Sequence, residues 1–299
     1  MTDELRYDEH PQLERPVMIA AFRGWNDGGP GASLAAAYLA RAWAAQPFAS
    51  IDPENFFDFQ ATRPMVSLVD GITRQIDWPE TTFLHAPLPG GGRDAILLLG
   101  VEPNLRWRTF GELVTSVAKE HGAELVLTLG SLLADVPHTR EAPVTGSATD
   151  PELIQRLGLE ASRYEGPTGM VGVLHDACAR AGLPSASLWA AVPHYVSLTP
   201  SPRAAKALVE RLAGLLSADV DTTELEEAAE HYSRQVSEAV ASDAETATYV
   251  AELEQRVDEL AAEADLPSGD ALAAELTRFL RERENGIGGD DDDDDVSRM

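Results

Sequence analysis

Residues 17–22 (VMIAAF), 95–100 (AILLLG) and 124–130 (ELVLTLG) are short, nearly uninterrupted apolar runs, the pattern of strands covered on both faces. A helical repeat over 109–121 separates the second run from the third, which makes a βαβ unit. Helical spacing also predicts helices over 32–45 and 170–181, the latter ended by Gly182-Leu183-Pro184. Residues 187–192 (SLWAAV) read as a last central strand. Ser201-Pro202 follows as N-cap and first helical residue of a helix running to about residue 217. Segments 55–60 and 81–86 read as further extended stretches. Runs 65–69 and 72–77 flank Asp70-Gly71, a two-residue hairpin signal. This order predicts an α/β core over residues 1–218: a layered sandwich around a mainly parallel, mixed sheet, with an inserted hairpin near 65–77.

The pattern changes after residue 218. Leu225, Ala229, Tyr232, Val236 and Val240, then Val250, Leu253, Val257 and Leu260, recur three or four apart on an acidic background. They predict amphipathic helices with one apolar stripe, and a third short helix fits 270–284. Residues 219–285 therefore read as an acidic helical module. Residues 286–299, with six consecutive aspartates, read as a disordered acidic tail.

Charge sharpens that division. Residues 1–218 carry 25 acids and 17 bases, whereas residues 219–299 carry 25 acids and 6 bases, so the second part holds most of the net charge of −27. An excess of this sign excludes nucleic acid and anionic membrane surfaces as expected partners, because both require a basic footprint. The single cysteine, Cys178, allows no internal disulfide and fits a reducing compartment. With no long apolar span and an acidic first segment (MTDELRYDEH), a soluble cytoplasmic protein is expected.

The candidate chemistry lies in the loops that follow the strands, because ligands in open α/β sheets bind beyond the strand carboxyl ends. After the first run comes GWNDGGPG, with Gly24, Trp25, Asn26, Asp27 and Gly28. It precedes a helix, where free N–H groups attract anions, yet it matches neither GxGxxG nor GxxxxGK[ST]. A tight turn capped by Asn26 or Asp27 explains it equally well. The next loops carry Glu102, Asn104 and Arg106, then Ser131 with Asp135 and His138, then His194 with Tyr195. Four such loops on one edge make a ligand pocket the working expectation. Asp27 and Glu102 are expected on loops rather than in the core, so that alanine at either would leave the fold intact.

No recognisable catalytic constellation accompanies them. Ser131 lacks a GxSxG elbow, and Cys178 falls in mid-helix, where a core role is expected. Ser131, His194 and Asp135 can be drawn as a triad, but nothing in the sequence brings them together. Seven scattered histidines show no metal-ligand spacing, so neither metal nor cofactor is expected.

Taken as an ordered set, the loops carry a resemblance. F-x-GW-x-D-x-G after the first strand, LG-x-EP-x-x-x-W-x-x-F at Leu99 to Phe110 and VPH-x-V-x-x-x-PSP at Val192 to Pro202 resemble the proteasome assembly chaperone 2 family. The likeness is to its branch of long actinobacterial proteins and covers about residues 15–217. Where the family carries GW-x-D-A-G, this chain has Gly24-Trp25-Asn26-Asp27-Gly28-Gly29. The resemblance implies a core like that of purine nucleoside phosphorylases, a homotrimer helped by the hairpin, and C-terminal helices placed as a lid. It also makes proteasome subunits conceivable partners. Three readings stay open: a binding or assembly module, an enzyme on a small polar metabolite with Glu102, His194 or Asp27 as acid or base, and helices with a packing role alone.

Overall fold

The computed structural model describes residues 4–161, 164–196 and 200–264. The third C-terminal helix and the aspartate tail expected from the sequence lie outside them. The chain divides into two compact units, Met1–Val250 and Ala251–Met299.

Four parallel strands make the centre of the first unit: β7 (Asp94–Val101), β2 (Val17–Arg23), β8 (Leu125–Ala134) and β11 (Ser185–Pro193), in that order. On one side the sheet continues through antiparallel β6 (Thr81–Pro87), β3 (Gln46–Ile51) and β1 (Leu5–Tyr7). On the other it continues through β9 (Val144–Ala148), antiparallel to β11, and the two-residue β10 (Glu160–Ala161). The mixed, mainly parallel character read from the apolar runs is thus present, with antiparallel strands on both flanks.

Each central strand serves two cores, because successive side chains leave opposite faces. Val17, Ile19 and Ala21 pack with Leu97, Leu127 and Leu129 beneath α1 (Gly31–Ala42) and α5 (Pro202–Leu216). Met18, Ala20 and Phe22 pack with Ile96, Leu98 and Val126 beneath α2 (Trp107–Glu120) and α4 (Met170–Ala181). A helix layer on each face gives the three-layer sandwich. Ser201 Oγ accepts from Ala204 N–H to cap α5, with Pro202 at its first position, as expected. Gly182 closes α4 in the left-handed conformation.

Two segments depart from the sequence reading. Residues 55–60 are not a strand: Asp52 caps a single turn over Pro53–Asn55, and Phe56 and Phe57 are buried from an irregular backbone. Aspartate-proline turn chemistry outweighs the apolar pair there. The extended segment lies just before, at β3, where Pro47 conceals it; the register slips between Pro47 and Ala49, as proline in a sheet requires. The short α3 (Pro151–Leu157) also has no strong periodic signature.

The hairpin β4 (Met65–Val69) and β5 (Thr73–Asp77) forms as predicted, with Asp70 and Gly71 at φ 54° and 72°. Among the described residues it pairs only with itself. Beyond α5, α6 (Thr223–Ala241) buries Leu225, Ala229, Tyr232 and Val236, four residues of the predicted stripe. The next helix, α7, runs Ala244–Ala264; within the second unit, Gln255 Nε2 donates to Glu259 Oε1 at 2.7 Å. Among the described residues no helix is long and apolar enough to cross a membrane.

Cys178 is fully buried in α4, and burial pushes its thiol up to about 12, so the core role expected for it holds. One turn earlier, His175 places Nε2 3.0 Å from Thr128 Oγ1 and Nδ1 2.9 Å from Ser185 Oγ. Desolvation lowers its pKa from 6.5 to about 4. The unfolded chain therefore binds the extra proton first, and stability falls as pH drops from 6.5 toward 4. We expect this group to remove about 2 kcal/mol of stability between about pH 7.5 and pH 5. Urea unfolding at both pH values checks this, with His175→Gln flattening the difference; an equally steep dependence in the variant would refute it.

Candidate functional site

The four predicted loops do gather at the carboxyl edge of β2, β7, β8 and β11, but they bind mainly one another. Asp27 pairs with Ser131 as an isolated parallel bridge. Gly28 N–H donates to Ser131 carbonyl at 2.8 Å, and Ser131 N–H to Asn26 carbonyl at 2.9 Å, so the β2 loop extends the sheet against β8. An added Cβ on Gly28 would lie 3.1 Å from Leu132 Cα, and one on Gly31 2.9 Å from Ala204 Cβ. These two glycines answer to the chain's own packing.

Asp27 is a structural residue. α1 starts after Pro30, which offers no side-chain cap. Asp27 Oδ1 takes over that role, accepting from Ala32 N–H at 2.8 Å and Ser33 N–H at 3.1 Å. Ser131 Oγ lies 3.3 Å from the same oxygen and 2.8 Å from Gly28 carbonyl. Asp27, Asn26 and Ser131 are all buried. Asp27 lies on the loop as expected, but it is buried there and serves as the cap of α1, so the expectation that alanine leaves the fold intact does not follow.

Glu102 works as a staple between loops. Its Oε2 accepts from Trp25 N–H at 3.1 Å and its Oε1 from Met170 N–H at 2.6 Å, joining the β2 loop to the first turn of α4. Asn104 Oδ1 accepts from Asp58 N–H at 2.9 Å and Thr62 Oγ1 at 3.0 Å, which orders the irregular stretch after β3. Arg106, in the left-handed region at φ 53°, pairs with Glu4 and lies 5.4 Å over the Phe56 ring.

His194 belongs to a separate cluster. Its Nε2 is 3.0 Å from both Asp135 Oδ1 and Tyr249 Oη, and Tyr249 Oη donates to Asp135 Oδ1 at 3.0 Å. Beside it, buried His138 sets Nδ1 2.8 Å from Tyr195 Oη and Nε2 2.9 Å from Ser237 Oγ. The Asp135–His194 half of the drawn triad therefore exists, while Ser131 is held by Asp27 and Gly28. Sequence reasoning missed Tyr249, Ser237 and the first turn of α4, each distant in sequence and without a motif.

Beside charged and polar side chains such as Arg23, Asp135 and His194, this edge exposes large apolar ones. Trp25, Leu105, Leu132 and Leu133 are 63%, 49%, 44% and 58% exposed. A cavity of about 390 Å³ opens nearby, lined by Arg23, Pro30, Ser33, Glu80, Leu99 and Pro200, but by none of the ten predicted residues.

The PAC2 family model matches residues 21–240. No curated protein matches the chain. Among solved structures, a PAC2 family protein from Streptomyces avermitilis is 47% identical, with TM-score 0.74, covering 79% of this chain and 99% of its own. A Mycobacterium tuberculosis proteasome-assembly chaperone homologue is 46% identical, with TM-score 0.71, over 78% of this chain and 99% of its own. A Mycobacterium tuberculosis protein of unknown function is 29% identical, with TM-score 0.78, over 88% and 93%.

Proposed function

The chain belongs to the PAC2 family, and we propose that it acts as an assembly module for proteasome subunits, working as a homotrimer. The observation that carries this reading is exposed apolar surface on a strongly acidic chain. One face of the hairpin presents Val66, Leu68 and Ile76, and the carboxyl edge presents Trp25, Leu132 and Leu133, all more than 40% exposed. Apolar patches of this kind mark contact surfaces. The hairpin supplies the contact between copies, and the carboxyl edge supplies the platform for a client subunit. The name of the Mycobacterium tuberculosis relative, a proteasome-assembly chaperone homologue, supports the choice of client.

What weighs against the enzymatic alternative is that each proposed acid or base already makes a structural contact, with only Oδ2 of the Asp27 carboxylate left without a hydrogen-bond partner. Asp27 and Glu102 both hold backbone N–H groups, and His194 is engaged by Asp135 and Tyr249. A polar site tied up in this way keeps loops in register.

Co-elution with purified proteasome α- and β-subunits tests the reading. The wild-type protein should shift an α-subunit to a larger complex, and Trp25→Ala with Leu133→Glu should abolish the shift while keeping the oligomer. If neither subunit co-elutes with the intact oligomer, the assembly reading fails.

A further inference from the structure

The fold joins three metal-ligating side chains that the sequence keeps apart. One ligand atom each from His10, Glu120 and His121 lie within 4.8 Å of one another, at the end of the sheet opposite the carboxyl edge. His10 follows β1, and Glu120 and His121 close the C-terminus of α2. We propose that His10, Glu120 and His121 form a divalent transition-metal site, best suited to zinc, that pins the N-terminal segment to the end of α2.

Several features support this. His10 Nδ1 and Glu120 Oε1 are 3.3 Å apart, which is about the edge of a tetrahedron around an ion with ligand bonds of ~2.05 Å. The other carboxylate oxygen is taken: Tyr7 Oη donates to Glu120 Oε2 at 2.6 Å, which fixes the carboxylate and leaves Oε1 turned to His10. The Tyr7 ring also stacks on the imidazole of His10, with centroids 4.4 Å apart. This is the outer support that holds metal ligands in place.

The remaining two features concern His121. Its Nε2 is shielded from solvent and has no hydrogen-bond partner, an unsatisfied lone pair or N–H of the sort a native fold rarely keeps. His121 also sits at the helix C-terminus, where the dipole favours a cation.

Two imidazoles and a carboxylate suit zinc over calcium or magnesium, which prefer all-oxygen shells. Three protein ligands leave a fourth position for water or an exogenous group. The absence of a short-spaced motif has a simple cause: Glu120 and His121 are adjacent, and the third ligand lies 110 positions earlier.

The test is calorimetric titration of the untagged, chelator-treated full chain with zinc chloride, repeated with cobalt(II) to read coordination from its visible spectrum. We expect one equivalent bound, a tetrahedral cobalt spectrum and a higher melting temperature with zinc. His10→Ala should weaken binding at least about tenfold, and Tyr7→Phe, which touches no metal, should weaken it by about tenfold. His231→Ala, far from the cluster, should change nothing. Binding that survives both His10→Ala and His121→Asn would overturn the proposal and assign the metal to the acidic tail. No one-equivalent phase at all would reduce the cluster to a His10–Glu120 ion pair. His10 and Glu120 are half-exposed, so the His10 variant retains the fold and remains informative.

Discussion

Asp27→Ala is expected to destabilise the protein by about 2–4 kcal/mol, a large loss for a residue that the sequence places in a loop. The change removes the nearer acceptor of Ala32 N–H, which Ser131 Oγ also meets at 3.3 Å, and the acceptor of Ser33 N–H, and it removes a partner of Ser131 Oγ. Losing an N-cap costs about 0.5–2 kcal/mol. Because these N–H groups are buried or part-buried and water does not replace the lost carboxylate, the cost lies at or above the top of that range. Asp27→Asn keeps an oxygen at the capping position and should recover most of the loss. Urea midpoints of the three proteins decide the matter. A ligand-facing carboxylate would behave in the opposite way, since its removal relieves charge at no structural cost. An alanine variant within about 0.5 kcal/mol of wild type would therefore return Asp27 to the candidate ligand site.

The same residues show how far the sequence could be read. Apolar runs at β2, β7 and β8 are legible because burial on both faces leaves them no polar position. Gly182 and Ser201-Pro202 are legible because their caps are made within a few residues. The antiparallel flank was harder to see. In β3, proline stands where a strand former is expected, and in β9 and β10 the strands are short and partly exposed. Their place in the sheet comes from pairing with distant partners.

The carboxyl edge was legible as a place and only partly as chemistry. The order of strands and loops predicts that Asp27, Glu102, Ser131 and His194 lie at the ends of neighbouring strands. It carries no information about which backbone N–H each carboxylate meets. Glu102 contacts Met170, 68 positions later, and His194 meets Tyr249, 55 positions later. Such contacts depend on tertiary placement, so a cluster of polar loop residues reads the same whether it awaits a ligand or ties loops together.

Replacing Val66 and Ile76 together by glutamate is expected to convert the proposed trimer into a monomer without unfolding it. The two residues face each other across β4 and β5, so both side chains lie on one face of the hairpin, with Leu68 beside them. Both are more than half exposed in the single chain. A two-stranded hairpin has little stability alone in water, and an apolar face left open would promote indiscriminate pairing. This hairpin is anchored at its base, where Trp78 meets Phe59 with ring centroids 4.8 Å apart, but its strands bond to no other strand among the described residues. Contact with another copy would cover the face and explain why an acidic chain keeps it. Two carboxylates forced into such a contact without partners cost at least about 3 kcal/mol, or more than about a hundredfold in affinity. Light scattering during size exclusion should give the mass of three chains for the wild type and of one for the variant, with unchanged circular dichroism. A variant that stays trimeric would move the contact away from the hairpin and leave the apolar face as a candidate surface for the client subunit.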